Sequence, residues 1–185
     1  MQILERNKSE VQAKAEKMSD FLRMEYLENC TKKFMDKVIL NYCFLELSRL
    51  YERNAMYPDA IKYLARYEET TVTNTEKRTA YLKEAELLIK AGLYDRIEFT
   101  HNKIKEISSP KELKEIDQKI IQSLKDSAAT YDRQNKYSPA TKAYEKLLQL
   151  SRPEEKTEIK KRLVVLYNKL GRVRESIELE KELQR

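Results

Sequence analysis

The sequence predicts an all-α fold built from antiparallel pairs of helices, and three observations support this prediction. Only 2 of the 185 residues are glycine and 4 are proline, while 37% are charged, a composition that favours long helices over β-turns. Apolar residues recur at spacings of three and four, which gives each predicted helix one stripe to bury. Both glycines fall at predicted helix ends, and all four prolines fall where a helix should begin.

Four turn positions recur along the chain and divide it into helix pairs. Around Asn135, Tyr131 lies four residues before the turn, Tyr137 lies two after it, and the small Ala140 lies five after it. The other turns carry the same pattern in weaker form, and consecutive turns are 37, 43 and 36 residues apart. Glycine, and after it asparagine, best tolerates the left-handed conformation that ends a helix. The four predicted turn positions are Ala55, Gly92, Asn135 and Gly171.

The stretch from Ser123 to Pro153 resembles one tetratricopeptide repeat, a family with a usual repeat of about 34 residues. The resemblance covers about residues 37–184 and implies a right-handed superhelical solenoid of helix pairs that serves as a protein-interaction scaffold. The chain departs from the family pattern where Ile97 and Ser176 replace the usual alanine and Glu180 replaces an aromatic residue. Because Glu180 is charged where the next repeat would pack, we expect the array to end there with a polar cap.

Eight helices in four pairs are predicted for residues 36–185. The pairs span about 36–71, 74–107, 110–151 and 153–185. The helix that opens the third pair is roughly two turns longer than its counterparts, which accounts for the wider turn spacing there. The predicted helices are 36–54, 58–70, 75–91, 94–107, 110–134, 138–150, 154–170 and 172–184.

Residues 1–35 are predicted to form a helical segment whose organisation has two interpretations. It is either a decayed fifth repeat with its turn at Ser19, or a single long helix from Glu5 to about Lys33. The segment starts without a capping signal, so we suspect that the 185 residues are the C-terminal part of a larger protein, although a free-standing protein stays open. In either case we hypothesise packing against the first pair through Phe21, Met24, Leu27 and Phe34.

The cysteines and the histidine predict neither a disulfide framework nor a metal site. If Cys30 and Cys43 lie on one helix, about 20 Å of rise separates them, so buried free thiols are favoured over a bridge. His101 lies on an apolar stripe without a second histidine or a nearby cysteine. We therefore expect it to be a core or boundary residue rather than a ligand.

No set of residues in the sequence predicts an enzyme or a cofactor. Two isolated glycines cannot form a phosphate-binding loop, and one histidine on an apolar stripe leaves no nucleophile–His–acid set. The carboxylates alternate with Lys and Arg at helical spacings, as on solvated helix faces. No apolar run approaches the roughly 18 residues of a membrane span. A cytoplasmic location is favoured, and an exported parent protein stays open.

The net charge of +6 and the pI near 9.1 raise the question of nucleic-acid binding. The basic residues are mixed with acids along every predicted helix and form no arginine-rich block. Direct nucleic-acid binding is therefore the less favoured alternative. A second alternative is a sensor or regulatory module attached to another part of a larger protein.

The resemblance also implies where a partner would bind. In such arrays the first helix of each pair lines a concave groove, and the residues 13, 10, 6 and 3 positions before each turn point into it. We expect apolar side chains there to anchor a partner segment and the basic ones to favour an acidic segment. The alternative is that the long third-pair helix or the N-terminal segment already covers these residues. The predicted anchors are Tyr42, Leu45, Leu82 and Ile89, and the predicted basic residues are Arg49, Lys125 and Lys161.

Overall fold

The computed structural model describes residues 3–184, which form α-helices, one 3₁₀ turn and short connections. The all-α prediction is confirmed, since none of these residues lies in a β-strand. The 3₁₀ turn, Tyr94–Arg96, directly precedes the sixth helix. The helices are α1 (Lys8–Ala15), α2 (Asp20–Lys33), α3 (Lys37–Arg53), α4 (Tyr57–Thr70), α5 (Asn74–Lys90), α6 (Ile97–Glu106), α7 (Pro110–Arg133), α8 (Tyr137–Leu150), α9 (Pro153–Lys169) and α10 (Val173–Leu183).

Helices α3 to α10 begin and end within one residue of their predicted positions, with one exception. The exception is α6, which was predicted to start at Tyr94 and starts at Ile97 after the 3₁₀ turn. No side chain caps that end of the helix, which allows the tighter 3₁₀ hydrogen bonding common at helix termini. The long helix α7 starts with a full capping box, in which Ser109 and Glu112 bond each other's backbone amides.

The four predicted turns share one hydrogen-bonding pattern. At the last turn, the amide of Arg172 donates to the carbonyl of Tyr167 at 2.9 Å, and the amide of Gly171 donates to Asn168 at 3.1 Å. The same two bonds close the other three turns, as in the Schellman motif that ends many helices. The only described residues with positive φ are the turn residues Ala55 (57°), Gly92 (70°), Asn135 (57°) and Gly171 (71°).

Three of these turns connect helices that pack on each other as hairpins. Helix α3 packs on α4, α7 on α8, and α9 on α10, each across one of the four turns. By their internal contacts the described residues divide into unit 1, up to Leu87, and unit 2, from Leu88 onwards. The assignment of the chain to four repeats plus an N-terminal segment stays a prediction.

Unit 1 is centred on the hairpin of α3 and α4. Its core is mostly apolar, and the buried polar side chains among its described residues are Ser48, Glu68, Thr71 and Glu84. The buried side chains of this pair include Phe44, Leu47 and Ser48 from α3 with Ala60, Leu64 and Tyr67 from α4.

The N-terminal segment forms two helices, so the prediction of one long helix is wrong. The chain breaks between α1 and α2, where Ser19 is extended. The guanidinium of Arg23 donates to the carbonyls of Ala15 (2.8 Å), Glu16 (3.2 Å) and Met18 (3.3 Å). The carbonyls of Ala15 and Glu16 lie at the C-terminal end of α1, where an arginine cation complements the helix dipole. A tertiary contact therefore stabilises the break.

Helix α2 packs on α3, which confirms the expected packing for part of the predicted set. Met24 and Leu27 are buried, and Phe34 is half-buried. Phe21 is 71% exposed, so its predicted role in this packing is wrong. The reason is its position on the helix: Phe21 precedes the buried Cys30 by about two and a half turns and therefore lies on the opposite face of α2.

The two cysteines lie on different helices, so the separation of about 20 Å that was expected for two residues of one helix does not apply. Cys30 belongs to α2 and Cys43 to α3, and both are fully buried where these helices pack. Both are free thiols, as predicted.

Unit 2 contains α6 to α10. Helices α7 and α8 meet at Leu124, Ala128 and Ala140, all fully buried, and α8 also packs on α9. The small Ala140 lets the two backbones approach closely. In the last hairpin, Ser176 of α10 is buried and donates to the carbonyl of Val164 at 3.4 Å.

Candidate functional site

The structure places the predicted anchors in different environments. Leu45 and Leu82 are half-buried in unit 1 and keep some surface for a partner. Ile89 is 1% exposed, so it belongs to the core and offers no surface for binding. Its neighbour Leu88 is fully buried as well. Burial of consecutive residues shows that this end of α5 has no single buried stripe, and a simple positional rule fails there.

Tyr42 is partly covered by the N-terminal segment. The ammonium of Lys8, on α1, lies 5.9 Å from the centroid of the Tyr42 ring. Burial, followed by the nearby negative groups Glu46 and Glu16, raises the pKa of Tyr42 to about 12. The alternative in which the N-terminal segment covers the predicted groove therefore applies to this residue.

Each of the three predicted basic residues has a carboxylate near it. Arg49 lies 3.8 Å from Glu46, and its side chain is 71% exposed. Lys161 lies 3.8 Å from Glu158. Lys125 makes a shorter ion pair, 2.8 Å, with Glu155. Because each charge is already partly balanced, these residues are less available to an acidic partner than the sequence suggested.

The concave feature that stands out is a pocket of about 680 Å³ within unit 2. It lies among α6, α7, α8 and the start of α9, and Lys125 is the one predicted binding residue that lines it. We call it the α7 pocket, because α7 contributes more lining residues than any other helix. Its lining residues are Ile97, Glu98, His101, Asn102, Lys114, Asp117, Gln118, Ile120, Ile121, Gln122, Lys125, Lys146, Gln149, Leu150, Arg152 and Glu155.

Two features of the sequence build the α7 pocket. The first is the extra length of α7, which starts after the capping box at Ser109, so that Lys114 in its N-terminal part lines the pocket. The second is the short connection from α8 to α9, in which only Ser151 and Arg152 separate the two helices. Since Pro153 fixes the first position of α9, Arg152 is held at the rim of the pocket.

One hydrogen bond and one ion pair cross the lining of the α7 pocket. His101 Nε2 lies 2.6 Å from the carboxylate of Asp117, so His101 is half-buried at a boundary, as predicted. Lys125 Nζ lies 2.8 Å from the carboxylate of Glu155. The Lys125–Glu155 pair leaves little net charge on the two groups it joins.

The remaining charged groups of the lining are three cations and one acid. The side chains of Lys114, Lys146 and Arg152 make no hydrogen bond or ion pair with the described residues, and neither does the side chain of Glu98. Ile121 and Leu150 add apolar surface to the same lining, and Leu150 is 41% exposed. The pocket therefore combines unpaired positive charge with an apolar wall.

Sequence reasoning missed these three cations because it followed a periodic rule. That rule selects residues on the first helix of each pair, whereas Lys146 lies on the second helix and Arg152 lies in a connection. The unusual length of α7 was visible in the sequence and could have drawn attention to Lys114.

Net charge is divided unevenly between the units. Unit 1 contains 15 Lys and Arg with 15 Asp and Glu, whereas unit 2 contains 22 and 16. The whole excess of +6 thus belongs to unit 2. A cationic partner surface would be repelled there, and an anionic one would be attracted.

Within residues 3–184 no group of three or more His, Cys, Asp or Glu side chains could hold a metal ion. None of the described helices has both the length and the apolar character needed to cross a bilayer.

No protein-family model matches this chain, and no curated protein matches it either. Solved structures do resemble it. One is BtubC (BKLC) from P. vanneervenii, with 12% sequence identity and a TM-score of 0.40, and the match covers 95% of this chain and 76% of that one. Another is a Podosopora anserina putative kinesin light chain with nearly identical TPR-like repeats. It has 14% identity and a TM-score of 0.40, with coverage of 96% and 91%.

Proposed function

We propose that this chain is a non-catalytic protein-interaction scaffold that binds a segment of a partner protein, with the α7 pocket as its main contact. The observation that supports this most strongly is the pocket itself. Its volume of about 680 Å³ is within the range of about 300–1,000 Å³ typical of ligand sites. Side chains from three consecutive helices and the start of a fourth converge on it.

The composition of the pocket suits a polypeptide segment. Asn102, Gln118 and Gln149 supply amide donors and acceptors that can pair with an extended backbone, while Ile121 and Leu150 can contact an apolar side chain. Peptide recognition commonly combines such backbone hydrogen bonds with pockets for a few side chains.

The sequence-predicted residues enter this proposal in part. Lys125 lines the α7 pocket, and Leu45 and Leu82 keep exposed surface in unit 1 where a partner could make further contact. Arg49 and Lys161 remain exposed candidates. Ile89 has no place in the site because it is buried.

A pocket-filling variant tests the proposal. In Gln118→Trp with Gln149→Trp, two exposed amides that face the pocket from α7 and α8 are replaced by bulky rings. Proteins captured from a native extract by the parent chain should be lost by this variant. The matched control is Gln134→Trp, which places the same ring on an exposed part of unit 2 outside the pocket.

The interpretation depends on partners that are first identified with the parent chain and then purified. Loss of binding in the filled variant but not in the control supports the pocket as the site, provided that circular dichroism shows an unchanged helix content. Equal binding by all three proteins contradicts the proposal.

A further inference from the structure

We infer that the segment bound in the α7 pocket is acidic, and that Lys114, Lys146 and Arg152 are the residues that recognise it. This inference rests on the proposed function and specifies its partner. The three cations come from α7, from α8 and from the connection to α9, so they approach the pocket from different sides.

Availability separates these cations from the others in the lining. Lys125 is engaged by Glu155, so this pair attracts a ligand only weakly, and Asp117 is hydrogen-bonded to His101. The other three cations outnumber the other acids even when Asp117 is counted as fully charged. Lys114, Lys146 and Arg152 have no such partner among the described residues, and the single unpaired acid of the pocket is Glu98. The unpaired groups therefore carry an excess of positive charge.

The surroundings of the pocket reinforce this charge. Because the entire +6 excess of the chain belongs to unit 2, an anionic segment experiences attraction before it reaches the pocket. Charge complementarity of this kind mainly speeds association and excludes wrong partners. A basic segment would be rejected by the same field.

An acidic peptide fits the lining better than a nucleic acid does. The unpaired cations are accompanied by Ile121 and Leu150 and by the unpaired carboxylate of Glu98. Glu98 would repel a continuous row of phosphates, whereas a peptide can place an apolar or neutral residue beside it. Apart from the imidazole of His101, which is bonded to Asp117, the lining contains no aromatic ring, so the pocket has no Phe, Tyr or Trp on which a base could stack. The inferred ligand is a segment with Asp or Glu residues on both sides of an apolar residue.

A charge-reversal experiment with a matched control tests the inference. The pocket variant combines Lys114→Glu, Lys146→Glu and Arg152→Glu. The control combines Lys119→Glu, Lys142→Glu and Arg174→Glu, which are exposed residues of unit 2 outside the pocket and give the same change in net charge. The probe is a fluorescent glutamate-rich peptide with a central leucine, and a second peptide has glutamine in place of each glutamate.

Fluorescence anisotropy at fixed salt should show that the parent chain prefers the glutamate peptide. We expect the pocket variant to weaken its affinity by about tenfold, the summed effect of three partly exposed ion pairs. The control variant should weaken it by no more than about threefold, since distant charges are largely screened. The milder Lys114→Gln, Lys146→Gln and Arg152→Gln combination should give an intermediate loss, which covers the case in which charge reversal disturbs folding.

Several outcomes overturn the inference. They are no detectable binding of the glutamate peptide by the parent, equal affinity for the two peptides, and equal losses in the pocket and control variants. Tighter binding of a random-sequence DNA duplex than of the glutamate peptide would assign the charge to nucleic acid instead.

The proposed function has a separate readout in the same assay. If Gln118→Trp with Gln149→Trp releases both peptides while the charge reversals have no effect, the pocket binds peptides without a preference for acids. If the filled variant binds the glutamate peptide as tightly as the parent does, the pocket is not the site and the proposed function fails as well.

Discussion

In each unit, the hydroxyl of a tyrosine four residues before a turn donates a hydrogen bond to a glutamate on the preceding helix. Each of these glutamates also accepts a second hydrogen bond, and the residue that donates it differs between the units. In unit 1 the hydroxyls of Tyr51 (2.6 Å) and Tyr63 (2.8 Å) both donate to Glu28. The two rings are stacked with their centroids 5.5 Å apart. Burial and the hydrogen bond to Glu28 raise the pKa of both tyrosines well above its usual value.

In unit 2 the equivalent glutamate is Glu145. It accepts from the hydroxyl of Tyr167 and from the guanidinium of Arg172, both at 2.9 Å. Arg172 also lies over the Tyr167 ring, 4.5 Å from its centroid, and bonds Glu175 at 2.7 Å. Burial and the hydrogen bond to Glu145 raise the pKa of Tyr167 to about 12.

The comparison shows that the same tyrosine–glutamate hydrogen bond joins α3 to α2 in unit 1 and α9 to α8 in unit 2. Tyr51 and Tyr167 occupy the same position before their turns, and their acceptors lie on the helix before. Residues 1–35 thus make a repeat-like contact although Ser19 is not left-handed like the four turn residues. This favours the interpretation of the segment as a decayed repeat, which stays a prediction.

The largest effect on stability is expected when the tyrosine–glutamate contact in unit 1 is removed. Glu28→Ala should lower the free energy of unfolding by about 2 kcal/mol, because two partly buried hydroxyls lose their acceptor. Glu145→Ala should cost less, about 1 kcal/mol, because Arg172 keeps Glu175. Urea denaturation measures both values.

Glu25→Ala is the control for this prediction, since Glu25 is exposed on the same helix. Native-state hydrogen exchange should be faster in α2 for Glu28→Ala alone. If Glu28→Ala and Glu25→Ala are equally stable, the contact in unit 1 does not hold α2 in place.

A smaller effect is expected from substituting one turn residue in each unit. Gly171→Val should cost about 1 kcal/mol, because a β-branched residue resists positive φ. An added Cβ at Gly171 would meet no atom within 4 Å, so the cost is conformational rather than steric. Ala55→Gly should be neutral or stabilise by up to about 1 kcal/mol, since Ala55 already has φ of 57°. Thermal unfolding of both variants checks this, and a loss of stability in Ala55→Gly would contradict the shared turn geometry.

The smallest effect concerns the pH dependence of the N-terminal attachment, which has no counterpart in unit 2. Burial raises the pKa of Glu5, but the hydrogen bonds from Lys14 and from backbone amides outweigh it and lower the pKa from 4.5 to about 2. A lowered folded-state pKa means that this stabilisation is present above about pH 4.5 and is lost as the pH falls towards 2. Hydrogen exchange in α1 should therefore increase over that range in the parent.

Glu5→Gln is the matched variant for this measurement. It should show fast exchange in α1 already at neutral pH and little further change between pH 4.5 and 2. A parent and variant with the same pH profile would show that the Glu5–Lys14 pair does not anchor the segment.

The helix boundaries and turns were predictable because their causes are local. A helix ends where the chain can adopt positive φ and begins where a proline or a capping side chain suits the first turn. Gly92, Gly171 and Asn135 satisfy the first condition by their own conformational preferences. Alanine has no such preference, and Ala55 was predicted as a turn residue only from its position in the repeated pattern.

The candidate site was less predictable because it depends on which helices meet. Spacing from the turns selected Lys125, which lines the α7 pocket, but it also selected the buried Ile89. It could not find Lys146 or Arg152, whose importance depends on the neighbouring helices that complete the pocket.

The sequence by itself determined an all-α chain, most of the helix bounds from α3 to α10 and four left-handed turns, since propensity, capping and periodicity act within a few residues. The tertiary structure alone decided the break between α1 and α2, where Arg23 binds carbonyls at the end of the preceding helix. It also decided the placement of Cys30 beside α3 and the availability of Lys114 in the α7 pocket. These features depend on contacts between residues far apart in the chain, and such contacts follow from packing rather than from local preference.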